Sequence, residues 1–262
     1  MIQGNFIYIN WEQVTNLVIS YGISDADFVN GISEIPTRLV LINDQTEGNQ
    51  FNNHTRFQTV NGQSFVREFL LNSSVQDKMW LDYHDPEDLD LMMPSEIAEL
   101  LYMAHMKTHL HIPLYAKLQN EFTYLSVSRW LTKIYYRNLR NFYHVLDVSM
   151  KRHLRAIHSN RWVVFNRGLA VNDVSNDVLK QLASIFSEGA IIAFNEFHES
   201  SRRYQIPVLV QQHPEHSNWW RDQQDMFATA DRVATLNYDV DDKRWSLTIL
   251  DPVPFENDAE DL

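Results

Sequence analysis

Alternating apolar residues, and apolar residues three and four apart, divide this chain between strands and helices. In its first part NFIYIN reads as a strand, and WEQVTNLVISYG, residues 11–22, carries helical spacing that stops on Gly22. TRLVLIN (37–43) and KMWLDY (78–83) are further strand candidates. Asn61 and Gly62 sit between two strand-like runs of RFQTVNGQSFVREFLL, a strong hairpin signal because both residues tolerate positive φ. A second hairpin is expected in LYAKLQNEFTYLSV (114–127), turning near Gln119 and Asn120. Between these hairpins, Ser95 to about Lys107 repeats Ile97, Leu100, Leu101 and Ala104 at helical intervals.

The last third is plainer. RWVVFN (161–166) has the character of a buried strand, Ser175 is placed to cap the helix NDVLKQLASIFSE, Gly189 ends it, and AIIAFNEF follows as a strand. That order allows one β-α-β crossover over residues 161–196. IPVLVQQ, VATLNYDV and RWSLTIL continue as strands. In the last two, Ala234, Leu236, Tyr238 and Val240 share one face, and Trp245, Leu247 and Ile249 share the matching face of the neighbour. Such alternation predicts an antiparallel sheet with one solvated side.

The middle of the chain, from Ser128 to His158, holds no proline or glycine and reads as a long central helix, with Asn138 and Asp147 the natural places for a break. On a helical wheel Arg129, Lys133, Arg137, Arg140, His144, Lys151 and Arg155 fall within a sector of roughly 80°. The expected fold is therefore α+β, with mostly antiparallel sheets packed around that helix. It divides into an N-terminal part with two hairpins over 1–127, the helix at 128–158, a C-terminal sheet part over 159–255 and an acidic, disordered tail over 256–262.

Composition removes several chemistries from this picture. The 262 residues include only seven glycines, none spaced for a phosphate-cradling loop, so dinucleotide, Walker-type and G-x-S-x-G motifs are excluded. There is no cysteine, which excludes thiol catalysis, disulfides and thiolate metal sites. The first basic residue is Arg38 and no uncharged apolar run approaches membrane-spanning length, so a cytoplasmic protein without a membrane partner is expected. A net charge of −12 disfavours nucleic acid as a partner. Against that sum, residues 129–167 hold nine Lys and Arg and the single acid Asp147.

The plain reading of the basic stripe is a solvated or internally paired face, because charge runs usually are one. The functional reading is a binding or regulatory protein without a cofactor. In it, Arg129, Lys133, Arg137, Arg140, Lys151 and Arg155 receive an anionic small molecule or an acidic protein surface. The alternative is a metal-dependent hydrolase. HMKTHLH sets His105 and His109 four apart, with His111 beside them, as ligands for a divalent ion such as zinc, and an acid from the 82–90 loop would serve as base. The glutamate of an H-E-x-x-H motif is missing. The polar loops NEFHESSRRY and HPEH, and the run Trp219, Trp220 and Arg221, are weaker candidates for a site.

Overall fold

The structure, a computed structural model, describes residues 5–43, 50–75, 77–104, 112–127, 131–159, 169–200, 202–211, 227 and 229–250. The chain opens with the hairpin β1 (Ile7–Glu12) and β2 (Leu17–Tyr21), then α1 (Asp25–Gly31), β3 (Arg38–Leu41), β4 (Gln50–Phe51) and β5 (Gln58–Asn61). Next come α2 (Gln63–Leu71), β6 (Met79–Asp82), a 3-10 segment at Pro86–Leu91, α3 (Pro94–Ala104), β7 (Phe122–Val127) and β8 (Leu131–Tyr136). The second half comprises α4 (Leu139–Ser159), α5 (Asn176–Phe186), β9 (Ala190–Ile192), a 3-10 turn at Phe194–Glu196, β10 (His198–Ser200), β11 (Arg203–Val210), β12 (Asp231–Asp239) and β13 (Arg244–Ile249).

One antiparallel sheet dominates this mixed α/β fold. Among the described residues it runs β13-β12-β11-β9-β1-β2-β8-β7-β6-β3-β5-β4, with β10 paired to β11. The strand period of two sends Ile7, Val18, Ile134, Phe122, Trp80 and Leu39 to one face, where they join α1, α2, α4 and α5 in the largest apolar core. The other face carries two smaller clusters. Val40, Leu81, Leu125 and Tyr135 pack with Leu100 and Met103 of α3, and Tyr8, Tyr21 and Ile191 pack with Phe6 and Leu209.

Two glycines let the helical layer close on the sheet. Gly31 ends α1 where that helix crosses α4, and a Cβ there would stand 2.4 Å from Val145 Cα. Gly22 has φ of +83° and lies against the Phe6 carbonyl, so only glycine fits the turn from β2 into α1. Ser24 and Asp27 then form a reciprocal capping box at the start of α1. No helix of the described residues is long and apolar enough to cross a membrane.

The long helix expected from Ser128 is not formed as such. Residues 131–136 are strand β8, paired on both sides, and α4 begins only at Leu139. A spacing of four satisfies a helix, but it is also an even number, so residues 129, 133 and 137 would share one side of a strand equally well. Leu-Thr-Lys-Ile-Tyr-Tyr is rich in β-branched and aromatic side chains, and the two neighbouring strands decide the matter. The break falls at Asn138, whose side-chain carbonyl accepts the Arg140 N–H at 3.0 Å as a helix cap does.

Three other local expectations are corrected. Residues 11–22 form the end of β1, a turn with Asn16 at φ of 52°, and β2, instead of a helix. Gly62 does take positive φ, but it joins β5 to helix α2 where a hairpin was expected. The 114–121 stretch is a folded loop, and β7 makes its hairpin with β8. In the proposed crossover, 161–168 lie outside the described residues, and β9 is antiparallel to both β1 and β11. Helix α5, capped by Ser175, agrees with expectation, as does the β12–β13 register, which sets Leu236 opposite Leu247 and Tyr238 opposite Trp245.

Candidate binding site

At one end of the sheet β3 and β7 begin while β6 and β8 finish, and their flanking residues enclose a cleft of about 540 Å³. Glu34, Ile35, Pro36 and Thr37 approach from the α1–β3 connection, Asp82, Tyr83 and His84 from the end of β6, Gln119, Glu121 and Phe122 from the entry to β7, and Arg137 from the exit of β8. Asp82 and Phe122 form a buried floor, while Glu34, His84 and Gln119 stand exposed at the rim.

The wall made by residues 113–122 is held by three polar side chains. Asp82 accepts the backbone N–H groups of Glu121 (2.9 Å) and Phe122 (2.7 Å), one on each carboxylate oxygen. Asn120, fully buried, accepts the Tyr115 N–H at 2.8 Å and donates to the carbonyls of Pro113 and Phe122, both at 3.1 Å. Arg137 donates to the carbonyls of Asn120 (2.7 Å) and Tyr115 (3.3 Å) and lies 3.9 Å from the Glu121 carboxylate. A loop without regular hydrogen bonding is thereby fixed in one shape.

Asp82 is only 8% exposed, and burial pushes its carboxyl up to about 6 even though the two N–H groups favour the ionised form. No cation is hydrogen-bonded to it among the described residues. Each of its oxygens takes one of these two donors, its own backbone N–H also favours the ionised form, and acceptor capacity remains on a side chain that lines the cleft.

A second buried polar cluster joins α1 to α4. Asp27, 2% exposed, receives three hydrogen bonds from Arg152, at 2.9 and 3.0 Å from Nε to its two oxygens and 2.7 Å from an outer nitrogen. Burial raises the Asp27 carboxyl, but Arg152 and the Ser24 N–H outweigh it and hold the group below its ordinary value. His153 donates from Nε2 to the Gly22 carbonyl at 2.9 Å, meets the Asn5 side-chain amide at Nδ1 and stacks on Phe194. Burial, aided by the Arg152 charge, lowers this imidazole to about 4. Every charged group here has a partner inside the fold, which makes the cluster a brace between helices.

No known protein family, curated protein or solved structure matches the chain. The site must be read from its own residues.

The cations singled out in the sequence are dispersed. Arg129 lies outside the described residues. Lys133 is on β8, on the face of the sheet away from α4, because Ile134 and Tyr136 point to the helices. Arg137 turns into the cleft. Arg140 and Arg155 stand exposed on α4, and Lys151 between them is paired with Asp147 (2.6 Å) and Asp173 (2.5 Å). The single ridge expected of a continuous helix is thus divided between a strand, a turn and a helix. His105, His109 and His111 fall outside the described residues, as do HPEH, Trp219, Trp220 and Arg221. Among the described residues no three His, Asp or Glu side chains converge as metal ligands do.

Of the cleft residues, the sequence marks Arg137 as a member of the basic stripe and Asp82 as an acid of the 82–90 loop. Asn120 is marked in the sequence only as a turn residue and His84 only as part of the turn-like YHDPED, while Glu34 and Glu121 carry no local signal, since only the fold brings these residues together. The α1–α4 cluster had one legible mark, the Ser24-x-x-Asp27 spacing of a capping box.

Proposed function

We propose that this chain is a binding protein whose ligand enters the cleft at the β3, β6, β7 and β8 end of the sheet. The observation that carries the reading is a concave site of about 540 Å³ whose wall is already fixed by Asp82, Asn120 and Arg137. That volume lies in the range of small-molecule sites, and a preformed wall avoids the ordering cost that weakens binding. Binding is favoured over catalysis because Asp82 and Arg137 each engage main-chain groups of the loop, which ties them to its shape.

Arg140 and Arg155 keep an anionic partner in view as a second reading, since both are exposed on the outer side of α4. Amide chemical-shift mapping with a mixed set of charged and neutral fragments tests the two together. Shifts gathered on residues 34–37, 82–84 and 119–122 support the cleft. Shifts gathered on the exposed side of α4 support the second reading, and a protein whose spectrum is unmoved by every fragment sinks both.

A further inference from the structure

The geometry points to an organic cation, an ammonium or guanidinium group on an apolar stem, as the ligand class of this cleft, with Asp82 its deepest acceptor and Glu34 and Glu121 at the rim. The inference rests on the cleft being a binding site. Its basis is the arrangement of charge by depth. Of the buried floor residues Asp82, Tyr83 and Phe122, only Asp82 can carry charge near neutral pH, and the groups hydrogen-bonded to it are neutral N–H donors that leave acceptor capacity open. Tyr83 and Phe122 on the floor, and Ile35 and Pro36 on the wall, supply apolar surface for a stem.

The positive groups nearby are already engaged. Arg137 holds the carbonyls of Asn120 and Tyr115, and Arg38 donates to the His84 carbonyl at 2.6 Å. An anion entering the cleft would have to approach three carboxylates, whereas a cation replaces solvation that Asp82 has lost on burial. A bound ammonium favours the ionised carboxylate, so it binds with loss of the Asp82 proton when the pH lies below about 6. The titratable and charged groups that line the cleft with Asp82 are Glu34, Tyr83, His84, Glu121 and Arg137, and Arg38 is tied to the His84 carbonyl beside it.

The test titrates the full chain with butylammonium and butylguanidinium, and with butanol and butyrate as neutral and anionic counterparts, following the Glu121 and Phe122 amides by NMR at pH 5 and pH 7.5. The expected result is binding of the two cations only, tightening about tenfold between the two pH values as Asp82 ionises. His84→Gln should keep that pH dependence, and Asp82→Asn should remove it. If Asp82→Asn does not fold, Glu34→Gln with Glu121→Gln, both outside the core, should weaken the cations several-fold. Butanol or butyrate binding as well as the cations, or cation affinity that stays level with pH, overturns the ligand class while leaving the cleft a binding site. Silence from all four probes at these amides overturns the class too, and the fragment mapping then decides whether the cleft binds anything.

Discussion

Asp27 and Asp82 are buried to nearly the same extent, yet the fold treats their charges in opposite ways. Asp27 faces the Arg152 guanidinium through two oxygens and is held below the ordinary carboxylate range. Asp82 faces two backbone N–H groups and no cation, and burial pushes it up to about 6. The α1–α4 junction is therefore electrostatically complete, while the sheet-end cleft is left wanting a positive charge. A carboxylate that completes its pairing inside the fold braces structure, and one that does not is available to something that arrives.

The comparison breaks most visibly at Arg152. Arg152→Ala would leave Asp27 buried and unpaired, a loss of about 3 to 5 kcal/mol in unfolding free energy. Urea titration at pH 7 measures it. Pairing Arg152→Met with Asp27→Leu should recover most of the loss, since the penalty belongs to the orphaned charge. If Arg152→Ala costs under about 1 kcal/mol, water reaches Asp27 freely and the junction is not the closed brace described above.

Two pH effects of the next size run in opposite directions. Asp82 binds its proton more tightly folded than unfolded, so its contribution falls as pH rises from the unfolded carboxyl value near 3.8 through about 6. His153 binds its proton less tightly when folded, so its contribution falls as pH drops from 6.5 through about 4. Each amounts to something on the order of 3 kcal/mol, and the wild-type chain nearly cancels them. Asp82→Asn should uncover the histidine, giving a protein that weakens on acidification across this window. His153→Gln should uncover the carboxyl, giving one that strengthens. Urea midpoints at pH 4.5, 5.5 and 6.5 read both slopes, and parallel slopes in the two variants would contradict the assignment.

What could be read along the chain follows from which interactions are local. Ser175 and Gly189 bound α5 through contacts within a turn, and the alternation of Ala234, Leu236 and Tyr238 against Trp245, Leu247 and Ile249 survives as sheet register because a hairpin places them side by side. Lys133 was misplaced for the opposite reason. Its spacing from Arg129 and Arg137 fits both periods, and the strands on its two sides, β7 just before it and β2 more than a hundred residues earlier, make it a strand residue. The cleft is equally out of reach of any local pattern, since Asp82 meets its two amides across 39 and 40 positions. A buried carboxylate and an exposed one look alike in a sequence, and the acids of the 82–90 loop could not be ranked until the strands were paired.

The smallest effect tests what became of the basic stripe. Lys151, 15% exposed, lies between Asp147 on the same helix and Asp173, which is 86% exposed. Burial opposes its charge, but the two carboxylates prevail and raise its pKa above the ordinary lysine value. Water screens this triad as it cannot screen Asp27, so Lys151→Met should cost less than about 1 kcal/mol. The loss should shrink further when the comparison is repeated in high salt, because the triad is open to ions through Asp173. The Arg152→Ala loss should change little under the same salt, because its partner is enclosed. Equal salt sensitivity in the two variants would mean that both sides of α4 see the same solvent at this level, and the distinction between a brace and a solvated pairing would not hold.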